Sequence, residues 1–222
     1  MTTRGVHLTL TAPAEGAREE YDDWFTGPHL DEVLKVDGVV SAQRFRFVPQ
    51  RDGDTPLRAD LAVYELDTAD IPGVHARLAA LPVNSAVDPA QTVSWTYEEI
   101  AERRTDGDDR PVANPHLFVV LTAPVAGQES EFDEWYTHRH LSDVLKLTDY
   151  RSAQRFRHVP AGDGDPLRPY LALYETDSTD VRETQRRLSE VVATPAMPFT
   201  PAIDRSQSIG WYYLPVTERR TS

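Results

Sequence analysis

Residues 21–49 read YDDWFTGPHLDEVLKVDGVVSAQRFRFVP and residues 132–160 read FDEWYTHRHLSDVLKLTDYRSAQRFRHVP, so 16 of 29 positions are identical at a fixed offset of 111. The match extends upstream through Thr11-Ala12-Pro13 and Thr122-Ala123-Pro124, and downstream through DLAVYELD and YLALYETD. It ends on Glu102-Arg103-Arg104-Thr105 against Glu218-Arg219-Arg220-Thr221, where the offset has grown to 116. The offset is 110 at Asp70/Asp180, so copy two carries six extra residues beyond that point, placed in TPAMPFTPAIDR at 194–205. A period of this length exceeds a solenoid repeat and matches a small domain. The expected organisation is therefore a unit at 1–104, a polar, Pro-containing linker at 105–115, and a second unit at 116–222.

Each copy reads β-α-β-β-α-β. Val6, Leu8 and Leu10 alternate with His7, Thr9 and Thr11, while the counterpart LFVVLT is apolar on both sides. A helix follows, with an i, i+4 row of Tyr21, Phe25, His29 and Val33, repeated as Phe132, Tyr136, His140 and Val144. Gly27-Pro28 should interrupt the first of these, and His138-Arg139 should let the second run on. SAQRFR is the second strand in both copies, PQRDGDTPLR and PAGDGDPLR are turn-forming loops, and LAVYE and LALYE are third strands. A second helix opens on Asp70 or Asp180, the latter with Glu183 as a capping box, and VSWTY and IGWYY close the units. This order is the ferredoxin-like split unit. The fold class expected is α+β: two ferredoxin-like βαββαβ units fused in one chain. Their antiparallel sheets would pack face to face as an intramolecular dimeric α/β barrel.

Composition narrows the function. Twenty-three Lys and Arg against 36 Asp and Glu give a net charge of −13. A nucleic-acid binder needs a cationic face, and an anionic membrane attracts one, so neither partner is expected. There is no Cys, hence no thiol nucleophile or Cys-based metal site. No apolar run reaches the length of a signal peptide or a membrane span, so a cytoplasmic location is expected.

The segments Trp24-Phe25…His29…Ser41-Ala42-Gln43-Arg44-Phe45 and Trp135-Tyr136…His140…Ser152-Ala153-Gln154-Arg155-Phe156 resemble the signature of the dimeric alpha/beta barrel superfamily, in particular its EthD-like branch. That resemblance implies a pocket between sheet and helices. Its members include muconolactone isomerases, polyketide cyclases, cofactor-independent monooxygenases and haem enzymes, and fold alone does not choose among them.

His29 and His140 are the leading catalytic candidates. Each falls on an apolar helix face, where burial keeps an imidazole neutral and able to accept a proton near pH 7. The competing reading is a hydrogen-bonded core histidine. Tyr64 and Tyr174 on the third strands could steady a developing oxyanion. Arg44 and Arg155, beside Arg46 and Arg157, could hold a carboxylate or enolate, or else form surface ion pairs. Trp24, Phe25, Trp135 and Tyr136 would line the substrate space. His7 and His158, which are replaced by Phe118 and Phe47 in the other copy, mark where two pockets would differ.

Other patterns carry less. His138 and His140 point about 200° apart on a helix and cannot share an ion. Glu134 and His138 suit a surface ion pair. Asp52-Gly53-Asp54 and Asp163-Gly164-Asp165 lack the distal Glu of a calcium loop. No P-loop, G-x-G-x-x-G or nucleophile elbow is present, so no organic cofactor is expected. The reading that follows is an isomerase, cyclase or lyase using proton transfer on an aromatic or polyketide-like small molecule. Copy two is preferred as its site, with 194–205 as a lid. The alternatives are an oxygen-using enzyme, as a cofactor-free monooxygenase or haem protein, and a non-catalytic binding or stress-response module. Two such chains could pair further as a homodimer.

Overall fold

The computed structural model describes residues 2–107, 112, 115–160 and 168–222. Part of the 105–115 joint and the Asp163-Gly164-Asp165 turn lie outside these residues.

The first half contains β1 (Thr3–Thr11), α1 (Arg18–Trp24), α2 (Leu30–Val33), β2 (Val39–Val48), β3 (Asp60–Thr68), α3 (Ile71–Ala79) and β4 (Val93–Thr105). The second contains β5 (His116–Thr122), α4 (Glu129–Trp135), α5 (Leu141–Leu145), β6 (Tyr150–His158), β7 (Tyr170–Thr176), α6 (Val181–Val191), β8 (Ile209–Pro215) and β9 (Arg220–Thr221). Short β-rich segments alternate apolar and polar side chains. Val6, Leu8 and Leu10 point to one face, and His7 and Thr11, also buried, to the other.

The expected pair of ferredoxin-like units, each with its own sheet and packed face to face as an intramolecular dimeric α/β barrel, does not form. All strands belong to one antiparallel sheet in the order β2-β3-β1-β4-β6-β7-β5-β8, and β8 pairs back onto β2 to close an eight-stranded barrel. The reason lies in strand length. β4 runs for 13 residues, pairing with β1 through Val93–Glu98 and with β6 through Tyr97–Thr105. β8 reciprocates on Phe45–Val48 of β2, and β9 adds a bridge to Ser41 and Ala42. Strand edges left with bare N–H and C=O groups are unfavourable, and crossing into the other half satisfies them.

The helices are short and lie outside the barrel. The unbroken helix expected over 128–147 is interrupted in the same way as its counterpart. A five-residue π-turn separates α1 from α2 at Phe25–His29, and another separates α4 from α5 at Tyr136–His140. Asp70 and Asp180 do cap α3 and α6 through their side chains. Glu183 pairs with Arg186 and Arg187 instead of closing a capping box. Among the described residues no helix is long and apolar enough to cross a membrane.

Three apolar cores result. One fills the barrel, with Leu8, Phe45, Tyr97, Phe156, Trp211 and Tyr213. The other two lie between the sheet and the helices of each half, around Tyr21, Phe25 and Tyr64, and around Phe132, Tyr136 and Tyr174.

Candidate active site

The π-turn sets the geometry of both helix-side sites. Its hydrogen bond runs from Leu30 N–H to the Phe25 carbonyl, and from Leu141 N–H to the Tyr136 carbonyl. A five-residue repeat brings residue i+5 over residue i, which a regular α-helix does not. Trp24 therefore stacks on His29 at 4.4 Å between ring centres, and Trp135 on His140 at 4.6 Å. Phe25 and Tyr136 meet the same imidazoles edge-on at 4.7 and 4.9 Å.

Arg44 and Arg155 lock each turn to its strand. The bland expectation of a surface ion pair fails for both, since they are 2% and 1% exposed. Arg44 donates to Thr26 Oγ1 at 2.5 Å, to Asp22 Oδ1 at 2.8 Å and to the Asp22 carbonyl. Arg155 repeats this on Thr137 at 2.6 Å and Asp133 at 2.9 Å. Their guanidiniums lie 4.8 Å over Phe25 and 4.5 Å over Tyr136. They act as struts under the turns, their forks already engaged with protein. Arg46 joins the Asp22 and Asp60 network, and Arg157 is an exposed partner of Glu98.

The halves then diverge. In the first, Tyr64 Oη lies 3.3 Å from His29 Nε2. In the second, Tyr136 carries a hydroxyl that Phe25 lacks, and Tyr174 donates to it at 3.4 Å instead of meeting His140. The six extra residues widen the difference. Pro198 accepts a hydrogen bond from Trp135 Nε1 at 3.1 Å, and Phe199 packs 6.2 Å from His140. His140 is 9% exposed, and its Nδ1 is enclosed with no hydrogen-bond partner. His29 remains half-buried, and its Nδ1 makes no hydrogen bond among the described residues. Copy one, against the expectation, is the more accessible of the two.

Burial lowers His29 to about 4, helped by the Arg44 charge. Burial likewise lowers His140 to about 4, with Asp143 opposing and Arg155 adding. Both rings are neutral at pH 7. Burial raises Tyr64 and Tyr174, so both phenols keep their protons.

The two exchanged histidines separate. His7 is on the helix side, stacked on Tyr64 at 5.6 Å, with Nδ1 2.7 Å from Thr96 Oγ1. His75, which sequence reasoning passed over, places its own Nδ1 2.8 Å from the same hydroxyl. The only hint was its place next to Val74 in the apolar row of α3. Burial, then the neighbouring His75 charge, lowers His7 to about 3. In the second half Phe118 stacks on Tyr212 at 4.4 Å, over Gly210, where a Cβ would stand 2.7 Å from the ring. His158 faces the opposite way, into the barrel, 5.6 Å from Tyr97. It shares no space with His140. His138 is an exposed partner of Glu134 at 3.7 Å.

A haem, which some proteins of the resembled superfamily carry, needs a histidine nitrogen facing a slot. Here His29 Nε2 faces Tyr64 and His140 Nδ1 is enclosed by protein, which leaves neither of these two nitrogens free for a haem iron.

No protein-family description matches the chain, and no curated protein sequence does. Solved structures do match. An anthrone oxidase-like protein superposes with a TM-score of 0.67 at 13% identity, over 99% of this chain and 93% of that one. A candidate monooxygenase from Lactobacillus acidophilus gives 0.57 at 8%, over 99% of each. A variant chlorite dismutase from Candidatus Nitrospira defluvii in complex with cyanide gives 0.57 at 8%, over 96% and 92%. Each superposes over nearly the whole of this chain, so the fold is shared. At such identities the likeness shows the fold alone.

Proposed function

We propose that the chain is an oxygen-using enzyme that oxidises an electron-rich aromatic small molecule without an organic cofactor. Trp24, His29 and Tyr64 form its site. The observation that carries this reading is the half-buried, neutral His29 ring, stacked on Trp24 and tied to the Tyr64 hydroxyl. The names of the similar structures support the oxygen-using class over the isomerase class. Duplication of an EthD-like unit accounts for the second, covered copy.

The substrate class is a methylene made acidic by flanking aryl and carbonyl groups, as in an anthrone. His29 accepts one C–H proton. The carbanion passes an electron to dioxygen, and the radical pair joins through a new C–O bond. The peroxide takes the proton back. Loss of the second C–H proton, with cleavage of the O–O bond, releases water and leaves a carbonyl. One substrate and one O2 give one quinone-type product and one H2O. Trp24 supplies a flat surface for the aromatic rings, and the Tyr64 hydroxyl fixes the imidazole.

Oxygen uptake with an anthrone, in the presence of a chelator and without added cofactor, tests the reading. His29→Ala should slow uptake by roughly 10²–10⁴-fold, the usual contribution of a general base. His140→Ala should change it little. Unaltered uptake in a folded His29→Ala protein would overturn the assignment.

A further inference from the structure

The two halves treat one matching segment in opposite ways. Val87 bridges Pro13 as Ile203 bridges Pro124, and Ala14 and Val125 donate alike to the carbonyls of Ala86 and Ala202. This register, at an offset of 116, matches Pro198-Phe199-Thr200 to Pro82-Val83-Asn84. In the first half Val83 turns outward and is 65% exposed. In the second, where α6 runs 11 residues against the 9 of α3, the segment folds inward.

The inward segment is held at several points. Trp135 Nε1 donates to the Pro198 carbonyl at 3.1 Å, and Thr200 Oγ1 to Glu131 at 2.6 Å. Met197 is buried, and the Arg205 guanidinium lies 5.1 Å over Phe199. The chain turns into this segment at Ala193, whose φ of 64° lies in the left-handed region that alanine enters at a cost. The Phe199 ring then stands 5.9 Å from Trp135 and 6.2 Å from His140, tilted against both.

A carbonyl oxygen on the indole N–H, with an aromatic ring beside the indole and the imidazole, is the set of contacts an aryl ketone would make. In the second half the chain supplies both groups itself. The first half has the same receiver: Trp24 stacks on His29 as Trp135 does on His140. Trp24 Nε1 has no acceptor among the described residues and, on a half-buried side chain, is not enclosed. With Val83 turned to solvent, no aromatic ring of this segment covers the pair.

We propose that Trp24 Nε1 is a catalytic hydrogen-bond donor to the carbonyl oxygen of the substrate, and that Pro198 and Phe199 fill the corresponding subsite of the second half and close it. The catalytic part rests on the oxidation proposed above. When His29 takes the C–H proton, the electron pair left on carbon spreads onto the carbonyl oxygen, which becomes an enolate oxygen. A donor aimed at that oxygen holds it more tightly as its charge grows, so it raises kcat and does not merely lower KM. An indole N–H only donates, so it does not compete with His29 for the proton. One site per chain works, and the other is occupied by the chain itself.

Binding and turnover are read separately on the full chain. Equilibrium dialysis compares xanthone, an aryl ketone with no methylene to oxidise, with xanthene, the same ring system carrying CH2 in place of the carbonyl. The wild-type chain should bind one xanthone, roughly tenfold tighter than xanthene, the contribution of about one hydrogen bond. Trp24→Phe keeps a ring but loses the N–H; it should erase this preference and leave xanthene affinity little changed. With an anthrone the same variant should lose about 10²–10³-fold in kcat with a smaller change in KM. Phe199→Ala should add a second xanthone site. Equal affinity for the two probes, two xanthone sites in the wild-type chain, or binding of neither would overturn the proposal. So would a ketone preference that survives Trp24→Phe, or a single site in Phe199→Ala. The wild-type chain with the two probes suffices if a variant does not fold. Dialysis involves no oxygen, so a failure of the oxidation reading, seen as unaltered uptake in His29→Ala, is told apart from a failure of this subsite.

Discussion

Arg155→Ala removes a guanidinium that is 1% exposed, bonded to Thr137 and Asp133, and in contact with three rings at 4.5, 5.2 and 5.4 Å. Breaking a buried ion pair costs about 3–5 kcal/mol, because the partner is left desolvated. Asp133, however, is 39% exposed and can recover water, which pulls the figure to the lower end, about 3 kcal/mol. Lost ring contacts of about 0.5–2 kcal/mol keep it from falling further. For a chain of this length the melting temperature should drop by roughly 6–12 °C. Arg155→Lys keeps the charge but not the fork, and should cost about 2 kcal/mol. Arg157→Ala, one pleat-step away at 54% exposure, should stay within about 1 kcal/mol. Urea unfolding followed by tryptophan fluorescence measures all three. If Arg155→Ala matched Arg157→Ala, the strut role would be refuted.

Two further outcomes follow from the same geometry. His7, His29 and His140 have folded-state values of about 3, 4 and 4, below the 6.5 of an unfolded histidine, so the unfolded chain takes up protons first. Stability is complete above pH 6.5 and should fall on acidification toward pH 4, by up to about 1.4 kcal/mol per pH unit for each histidine. Denaturation midpoints across that range check this, and His140→Asn should flatten the slope. Phe199→Ala should uncover His140, so that its modification by diethyl pyrocarbonate accelerates toward that of His29. An unchanged rate would show that Phe199 is not its cover.

Much of this was legible in the sequence, and the rest was lost for identifiable reasons. Period-two alternation placed Val6, Leu8 and Leu10 on one face and His7 and Thr11 on the other, and the Asp180 cap was plain. Face-to-face sheets were the wrong inference, because alternation tells which way a side chain points but not whose edge a strand joins. The extra length of β4 and the Glu-Arg-Arg-Thr ends were the overlooked signal. The helix rows assumed a regular α-helix, so the stacking of Trp24 on His29 was invisible: a π-turn leaves no periodic mark in so short a run. Arg44 and Arg155 read as substrate-holding groups or surface ion pairs because burial of arginine is rare unless it is paired, and the partners, Asp22 and Asp133, were 22 residues away.

The reciprocal hand-over of β4 to β6 and of β8 to β2 has a consequence for expression and handling. A ring of strands offers no growing front to which a neighbouring molecule's backbone can attach, so the intact chain should resist fibre formation despite its valine- and leucine-rich segments. A single scission between the halves that let them drift apart would expose four ragged borders at once, and the fragments should precipitate or re-pair unless kept together.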